Sequence, residues 1–73
     1  MNIDMQPLDG SSTIAATGHD AKSETLRIQF HSGGVYDYSG VPAEKHAALR
    51  NAASAGKHFH RHIRGKHTFL QVE

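Results

Sequence analysis

Residues 35–42 constrain the fold of this chain more than any other stretch, because two hydrophobic periods meet there. Tyr36 and Tyr38 are two residues apart, so in a strand they lie on one face. Pro42 favours the first turn of a helix, since its ring holds the backbone at a helical angle. We therefore predict that a strand ends near Tyr38 and leads directly into a helix that covers the sheet.

Two alternating segments precede this junction. Residues 13–18 alternate weakly, with Ile14 and Ala16 on one face. Residues 25–30 alternate clearly, and their apolar side chains share one face: Leu26, Ile28 and Phe30. Alternation of this kind is typical of half-buried strands. Together with the tyrosine strand, these segments predict a three-stranded antiparallel meander.

The loop after the second strand decides which face of the sheet the two tyrosines join. If Gly33 and Gly34 form a two-residue turn, Tyr36 lies opposite His31 on the polar face, because a shift of one residue moves every side chain to the other face. The tyrosines would then form an exposed platform on which bases can stack.

A three-residue loop at residues 32–34 gives the opposite result. Phe30 then pairs with Tyr36, and Ile28 pairs with Tyr38. We favour this loop, because it places aromatic and aliphatic side chains opposite one another across the strands. The tyrosines are then mainly part of the core.

The second half of the chain has a helical period. Residues 42–53 predict a first helix, whose inner stripe contains His46, Leu49 and Ala53. Ser54 is suited to cap a second helix. Phe59 and Ile63, spaced i and i+4, predict its inward face, and Gly65 suits its end.

These elements predict an α+β fold, in which a three-stranded antiparallel meander is covered on one face by two consecutive short helices. We expect a mobile segment over residues 1–8 and a single domain over residues 9–73. Residues 68–72 fit either a short edge strand or a frayed tail. The bulky apolar side chains are few for 73 residues, so a homo-oligomer or a docking surface for a partner is also compatible with the sequence.

The composition restricts the chemistry that the chain can carry. It contains no cysteine, which excludes disulfides and thiolate metal sites. No apolar run is long enough to span a membrane, and the first residues do not resemble a secretion signal, so we expect a cytoplasmic protein. His58 and His62 could share a metal ion at i and i+4, but no third ligand follows at a known spacing. We expect no metal and no cofactor.

We also expect no enzymatic activity. Serine, aspartate and histidine do not fall into a known nucleophile motif, and a general acid or base would need a second titrating partner that no motif supplies. The pair Gly33 and Gly34 fits a hairpin tip better than a phosphate-binding loop.

Charge is distributed unevenly along the chain. Residues 1–41 contain five acidic and two basic side chains, whereas residues 42–73 contain six basic side chains, two acidic ones and five histidines. Lys57, Arg61 and Arg64 follow helical spacing and form a stripe opposite the apolar pair, which could meet a polyanion. The candidate residues for binding nucleic acid or another partner are Lys57, His60, Arg61, Arg64, Lys66, Tyr38 and His58.

An ordered series of short motifs resembles the KTSC domain family, which is named after the C-terminus of certain lysyl-tRNA synthetases and also occurs as a stand-alone protein in bacteria and phages. The matching motifs are Ser11-Ser12-x-Ile14, Gly18-His19-Asp20, Leu26-x-Ile28-x-Phe30, Gly33, Tyr36-x-Tyr38 with Val41-Pro42, Ala52-x-Ser54-x-Gly56-x-x-Phe59, and Ile63. They cover roughly residues 8–67. The family has no established activity, and the resemblance implies RNA as a candidate ligand.

Two functions of different classes therefore remain. In one, the second helix binds the phosphates of RNA or another nucleic acid. In the other, the domain is a protein-interaction module or a phage accessory protein that docks on a larger host protein. Salt distinguishes the two, because phosphate-driven binding weakens steeply with salt and an apolar interface does not.

Overall fold

Five antiparallel strands form one sheet in the computed structural model, which describes residues 3–73. The strands lie side by side in chain order: β1 (Gln6–Pro7), β2 (Ile14–Asp20), β3 (Thr25–Phe30), β4 (Val35–Tyr38) and β5 (Phe69–Gln71). Two helices, α1 (Ala43–Asn51) and α2 (Ala55–His62), connect β4 to β5. The predicted α+β class is confirmed, as are the antiparallel sheet and the two helices. The predicted number of three strands is wrong.

The two additional strands lie at the two edges of the sheet. Strand β1 has two residues, one of them a proline, and all three residues of β5 are exposed. Both strands are too short to define an alternating pattern, so the sequence did not indicate β1 and left β5 undecided. Residues 1–8 were predicted to be mobile. Ile3 is only 7% exposed and β1 is paired, while Met1 and Asn2 lie outside the described residues. The mobility of this segment stays a prediction.

Strand β2 contains an irregularity that changes which side chains face the helices. Ile14 pairs with Phe30 and Thr17 pairs with Ile28, and the register shifts between Ile14 and Ala16. The prediction that Ile14 and Ala16 share a face is therefore wrong. An extra residue in one strand turns the following side chains over, so Thr17 follows Ile14 on the helix-covered face.

The hairpin between β3 and β4 has the predicted loop length but a different register. Its loop is residues 31–33, because the N–H of Phe30 donates to the carbonyl of Gly34 at 2.9 Å and the N–H of Gly33 donates back to Phe30 at 2.9 Å. The tyrosine pairs are Ile28 with Tyr36 and Leu26 with Tyr38. The predicted pairs are wrong by two residues. The predicted face is correct, since a shift of two residues preserves it.

Glycine explains this register. Gly34 lies on the same face as Tyr36, and a Cβ atom added to Gly34 would lie 2.7 Å from Cε1 of the Tyr36 ring. The absent side chain leaves room for that ring beside Phe30, whose centroid is 5.6 Å away. The predicted contact between Phe30 and Tyr36 therefore exists, but it is diagonal.

The helices bury the apolar stripes that the sequence predicts. The side-chain oxygen of Ser54 caps α2 by accepting from the N–H of Lys57 at 3.4 Å. Phe59 and Ile63 are buried, and Gly65 has a φ of 79° just beyond the helix. Helix α1 ends at Asn51, earlier than predicted, so Ala53 of the predicted stripe is exposed.

The core lies between the helices and one face of the sheet. Its buried members are Ile14, Leu26, Ile28, Tyr38, Val41, Leu49, Ala55, Phe59 and Ile63. No helix within residues 3–73 combines the length and the apolar character needed to cross a membrane.

Candidate functional site

An open groove of about 480 Å³ is lined by residues of α2 and of strands β3, β4 and β5. Five aromatic rings line it: Phe30, Tyr36, Tyr38, Phe59 and Phe69. Its polar lining comes from the hydroxyl groups of Thr13, Ser32 and the two tyrosines together with His60 and Arg64, and no carboxylate side chain lines it. The groove is thus apolar at its base and positively charged at one side.

The aromatic rings support one another. Tyr38 is 6% exposed and forms the floor, with its ring centroid 5.4 Å from that of Phe59 and 5.7 Å from that of Phe69. Phe69 is 62% exposed and also lies 5.8 Å from the ring of Tyr36. The groove therefore offers a buried floor and one open ring at its edge.

Burial also affects the chemistry of Tyr38. Removal of its hydroxyl from water raises its pKa, and the neighbouring Tyr36 raises it further, while the charge of Arg64 lowers it to a smaller extent. The phenol stays protonated near neutral pH and can donate a hydrogen bond. Sequence reasoning left open an exposed stacking role for Tyr38, and its burial makes that role wrong. The favoured assignment of Tyr38 to the core is confirmed.

The cationic side of the groove is formed by the last turn of α2 and the turn after it. Arg64 and His60 are both exposed, and Nη1 of Arg64 lies 3.2 Å from Nδ1 of His60. A guanidinium only donates, so the imidazole nitrogen accepts in this contact. Among residues 3–73, neither side chain forms an ion pair with a carboxylate. The ion pair found in this part of the chain joins Arg27 to Asp37 at 2.7 Å, on the opposite face of the sheet.

The remaining candidates lie along α2 or beyond it. Lys57 and Arg61 are exposed and line a shallow depression beside His58. His58 is half-buried, and its ring lies 4.4 Å from that of His62. Partial burial lowers the pKa of His58, and the charges of His62 and Arg61 add to this effect. Lys66 is exposed and lines neither cavity. The structure thus brings Tyr38, His60 and Arg64 together, and it places the other candidates on the neighbouring surface.

A second polar cluster lies under α1 and was not predicted. Nη1 of Arg50 donates to Oγ1 of Thr17 at 2.7 Å, and the same oxygen lies 2.9 Å from Nε2 of His46. His19 stacks on His46 at 5.5 Å. Arg50 also donates to backbone carbonyls of β1. This cluster fastens α1 to the first two strands, and the only signal for it in the sequence is the inward position of His46.

Comparison with known proteins identifies the family. The family model described as the KTSC domain matches residues 10–67 of the chain. The chain belongs to the KTSC domain family. Its fold agrees with this assignment: a crystal structure of a KTSC domain protein from Yersinia pestis has a TM-score of 0.92 and 35% sequence identity, and the match covers 99% of this chain and all of that one.

KTSC sequences similar to this chain occur in proteins of different size. A lysine–tRNA ligase of Nostoc punctiforme is 43% identical over 61 residues, which cover 84% of this chain and 11% of the ligase. An uncharacterized protein of Stutzerimonas stutzeri is 37% identical over 57 residues, which cover 78% of this chain and 80% of that protein. The chain thus spans about a tenth of the ligase it matches.

Phe69, the open ring of the groove in this KTSC domain, was not among the binding residues predicted from the sequence. Phe69 lies beyond the residues that the family model matches, in the segment for which a strand and a frayed tail were both open. The only available signal was an aromatic residue followed by alternate polar and apolar residues, which is too short to define a strand.

Proposed function

We propose that this KTSC domain is a non-enzymatic module that binds single-stranded RNA through the exposed side of α2. The observation that carries this proposal is the basic stripe of Lys57, Arg61 and Arg64. All three side chains are exposed, and within residues 3–73 none of them forms an ion pair. Their charges are therefore available to phosphates.

The arrangement of the stripe suits a phosphate backbone. Lys57 and Arg61 lie one turn apart on one side of α2. Arg64 lies in the turn just beyond the end of the helix at His62, so the predicted continuation of the helix to Arg64 is wrong, and this third cation extends the basic surface past the helix end. Arginine guanidinium groups match phosphate oxygens in pairs, whereas lysine acts as a point charge. Contacts of this kind position a strand without reading its sequence. We therefore expect weak binding with little sequence preference.

The relatives support RNA as the ligand. The similar ligases carry tRNA in their name, and a domain attached to such an enzyme is placed close to RNA. The stripe also borders the aromatic groove through Arg64, and aromatic surfaces next to cations are typical of proteins that bind single strands.

The test is fluorescence anisotropy with a labelled single-stranded RNA at several salt concentrations. With three or four phosphate contacts, the log–log salt slope should lie at about −2 to −3. Replacing Lys57, Arg61 and Arg64 together by Glu should abolish binding, and circular dichroism should show an unchanged fold, because all three side chains are exposed.

A matched pair of single variants controls for total charge. Arg61→Glu and Lys22→Glu change the net charge equally, and both side chains are exposed, but Lys22 lies in the turn between β2 and β3. Only Arg61→Glu should weaken binding. Absence of binding by the wild type at low salt, or equal effects of the two variants, would contradict the proposal.

A second candidate function rests on the edge of the sheet. Strand β5 lies at the end of the sheet, and Phe69, Leu70 and Val72 are large apolar side chains that remain exposed there. Exposed apolar residues at a sheet edge are typical of surfaces that dock a protein partner. Binding to such a partner should be nearly independent of salt, in contrast to binding of RNA.

A further inference from the structure

We propose that the aromatic groove holds one unstacked nucleotide of the bound strand, with its base against Phe69 and its phosphate at Arg64 and His60. This inference rests on the proposed function, because it assigns a subsite to the same ligand. It adds a contact to the base, which the basic stripe alone does not provide.

The dimensions of the groove suit a single nucleotide. Its volume of about 480 Å³ falls in the range of sites that take small molecules. One face of the groove is open to solvent. The nucleotides that precede and follow the bound one can therefore leave the groove through this face. Tyr38 closes its floor and prevents a base from passing deeper into the core.

The exposed ring of Phe69 provides a stacking surface. Phe69 is 62% exposed, although it is held at one side by the rings of Tyr36 and Tyr38 at 5.8 and 5.7 Å. A ring fixed in this way loses little conformational freedom when a base stacks on it. Stacking on an aromatic side chain tolerates every base, since each base has a π face.

The charge of the groove favours an anionic ligand over an apolar peptide. Its lining includes Arg64 and His60 and no carboxylate, so a negative group is attracted and not repelled. Thr13 and Ser32 add hydroxyl groups at the rim, which can bond to a ribose or a base. An uncharged aromatic segment of a peptide would leave the charge of the Arg64 guanidinium without an anion.

The strand geometry offers a matched control for the stacking residue. Phe69 and Leu70 are neighbours in β5 with similar exposure, 62% and 68%. Phe69 pairs with Tyr38 on the groove side, whereas Leu70 pairs with Asp37 on the other face. The variants Phe69→Ala and Leu70→Ala therefore remove comparable exposed apolar surface from opposite faces of one strand.

The experiment measures anisotropy of labelled single-stranded RNA with the wild type and both variants, and competition by inorganic polyphosphate, which has the charges but no bases. Phe69→Ala should weaken RNA binding about tenfold and leave the salt slope unchanged, because it removes stacking and no charge. Leu70→Ala should bind RNA as the wild type does. Polyphosphate should bind equally to all three proteins.

A second measurement does not depend on any variant. In a ¹⁵N-labelled wild-type domain, adenosine 5′-monophosphate should shift the amide resonances of Thr13, Tyr36 and Phe69 more than ribose 5-phosphate does. Equal shifts by the two compounds would overturn the proposal, as would equal or larger shifts with N-acetylphenylalanine amide, which would point to a peptide ligand.

The outcomes separate the two proposals. If the wild type binds RNA and Phe69→Ala binds as tightly as Leu70→Ala, the groove assignment is wrong while the phosphate-binding stripe stands. If the wild type binds no RNA at low salt, the proposed function fails and the groove assignment fails with it.

Discussion

The folded state disfavours the protonated form of His46. Oγ1 of Thr17 accepts from Arg50, and its hydroxyl proton can be donated to Nε2 of His46 at 2.9 Å. The imidazole is neutral when it accepts this proton. Burial lowers the pKa of His46, and the nearby His19 and the charge of Arg50 lower it further.

The domain should therefore become less stable as the pH falls. Unfolded His46 takes up a proton near its ordinary pKa of about 6.5, before the folded form does. The stability that neutral His46 contributes is complete above this value, and it is lost as the pH falls toward the lower folded pKa.

Urea unfolding at several pH values between 7.5 and 5 should show this decline. The decline should be smaller in His46→Gln, and it should persist in His31→Gln, whose side chain is exposed. Identical pH profiles for all three proteins would refute the role of His46.

At the scale of elements, the N-terminal segment is fastened to β2 by close approach. A Cβ atom added to Gly18 would lie 2.5 Å from the carbonyl oxygen of Asp4 and 2.6 Å from Cγ2 of Ile3. No other residue type leaves the segment where it lies. Arg50 of α1 holds the same segment from the other side, since its guanidinium bonds to the carbonyls of Gln6 and Pro7 at 3.2 and 2.9 Å.

Gly18→Ala should displace this segment from the sheet and destabilise the domain by about 1–3 kcal/mol, as expected for overpacking. The free energy of unfolding in urea measures the cost. The control is the same substitution in a chain that lacks residues 1–5, where nothing opposes the new methyl group and the cost should largely vanish. A cost that is the same in the full and the shortened chain would show that the close approach is not its origin.

At the scale of the whole molecule, the stability of the domain depends on a small hydrophobic core. Nine buried side chains form the main cluster, and two of these are as small as alanine or valine. A domain of 73 residues is stable by roughly 4–11 kcal/mol when scaled by length. Loss of one large buried side chain therefore removes a large part of the total.

Tyr38→Ala should cost about 3–5 kcal/mol, the range for a large aromatic residue removed from a core. Tyr36 is half-buried at the groove, so its replacement by Ala should cost clearly less than the replacement of Tyr38. Chemical denaturation of both variants tests the difference. Equal losses would mean that the two rings contribute alike, contrary to their different burial.

The sequence by itself determined the elements whose side chains carry a local pattern. Alternation over residues 25–30 identified β3, the spacing of Phe59 and Ile63 identified the buried side of α2, and Ser54 marked its beginning. Periodicity is a property of neighbouring residues, so no distant contact is needed to recognise it.

Only the tertiary structure decided the edges of the sheet and hence the groove. Strand β5 forms because its backbone pairs with β4, more than thirty residues earlier in the chain, and its side chains remain exposed. The irregularity in β2 likewise appears only when the strand is aligned with β3. Backbone hydrogen bonds between distant segments leave no periodic trace in the side chains, which is why Phe69, the open ring of the groove, was not identified from the sequence.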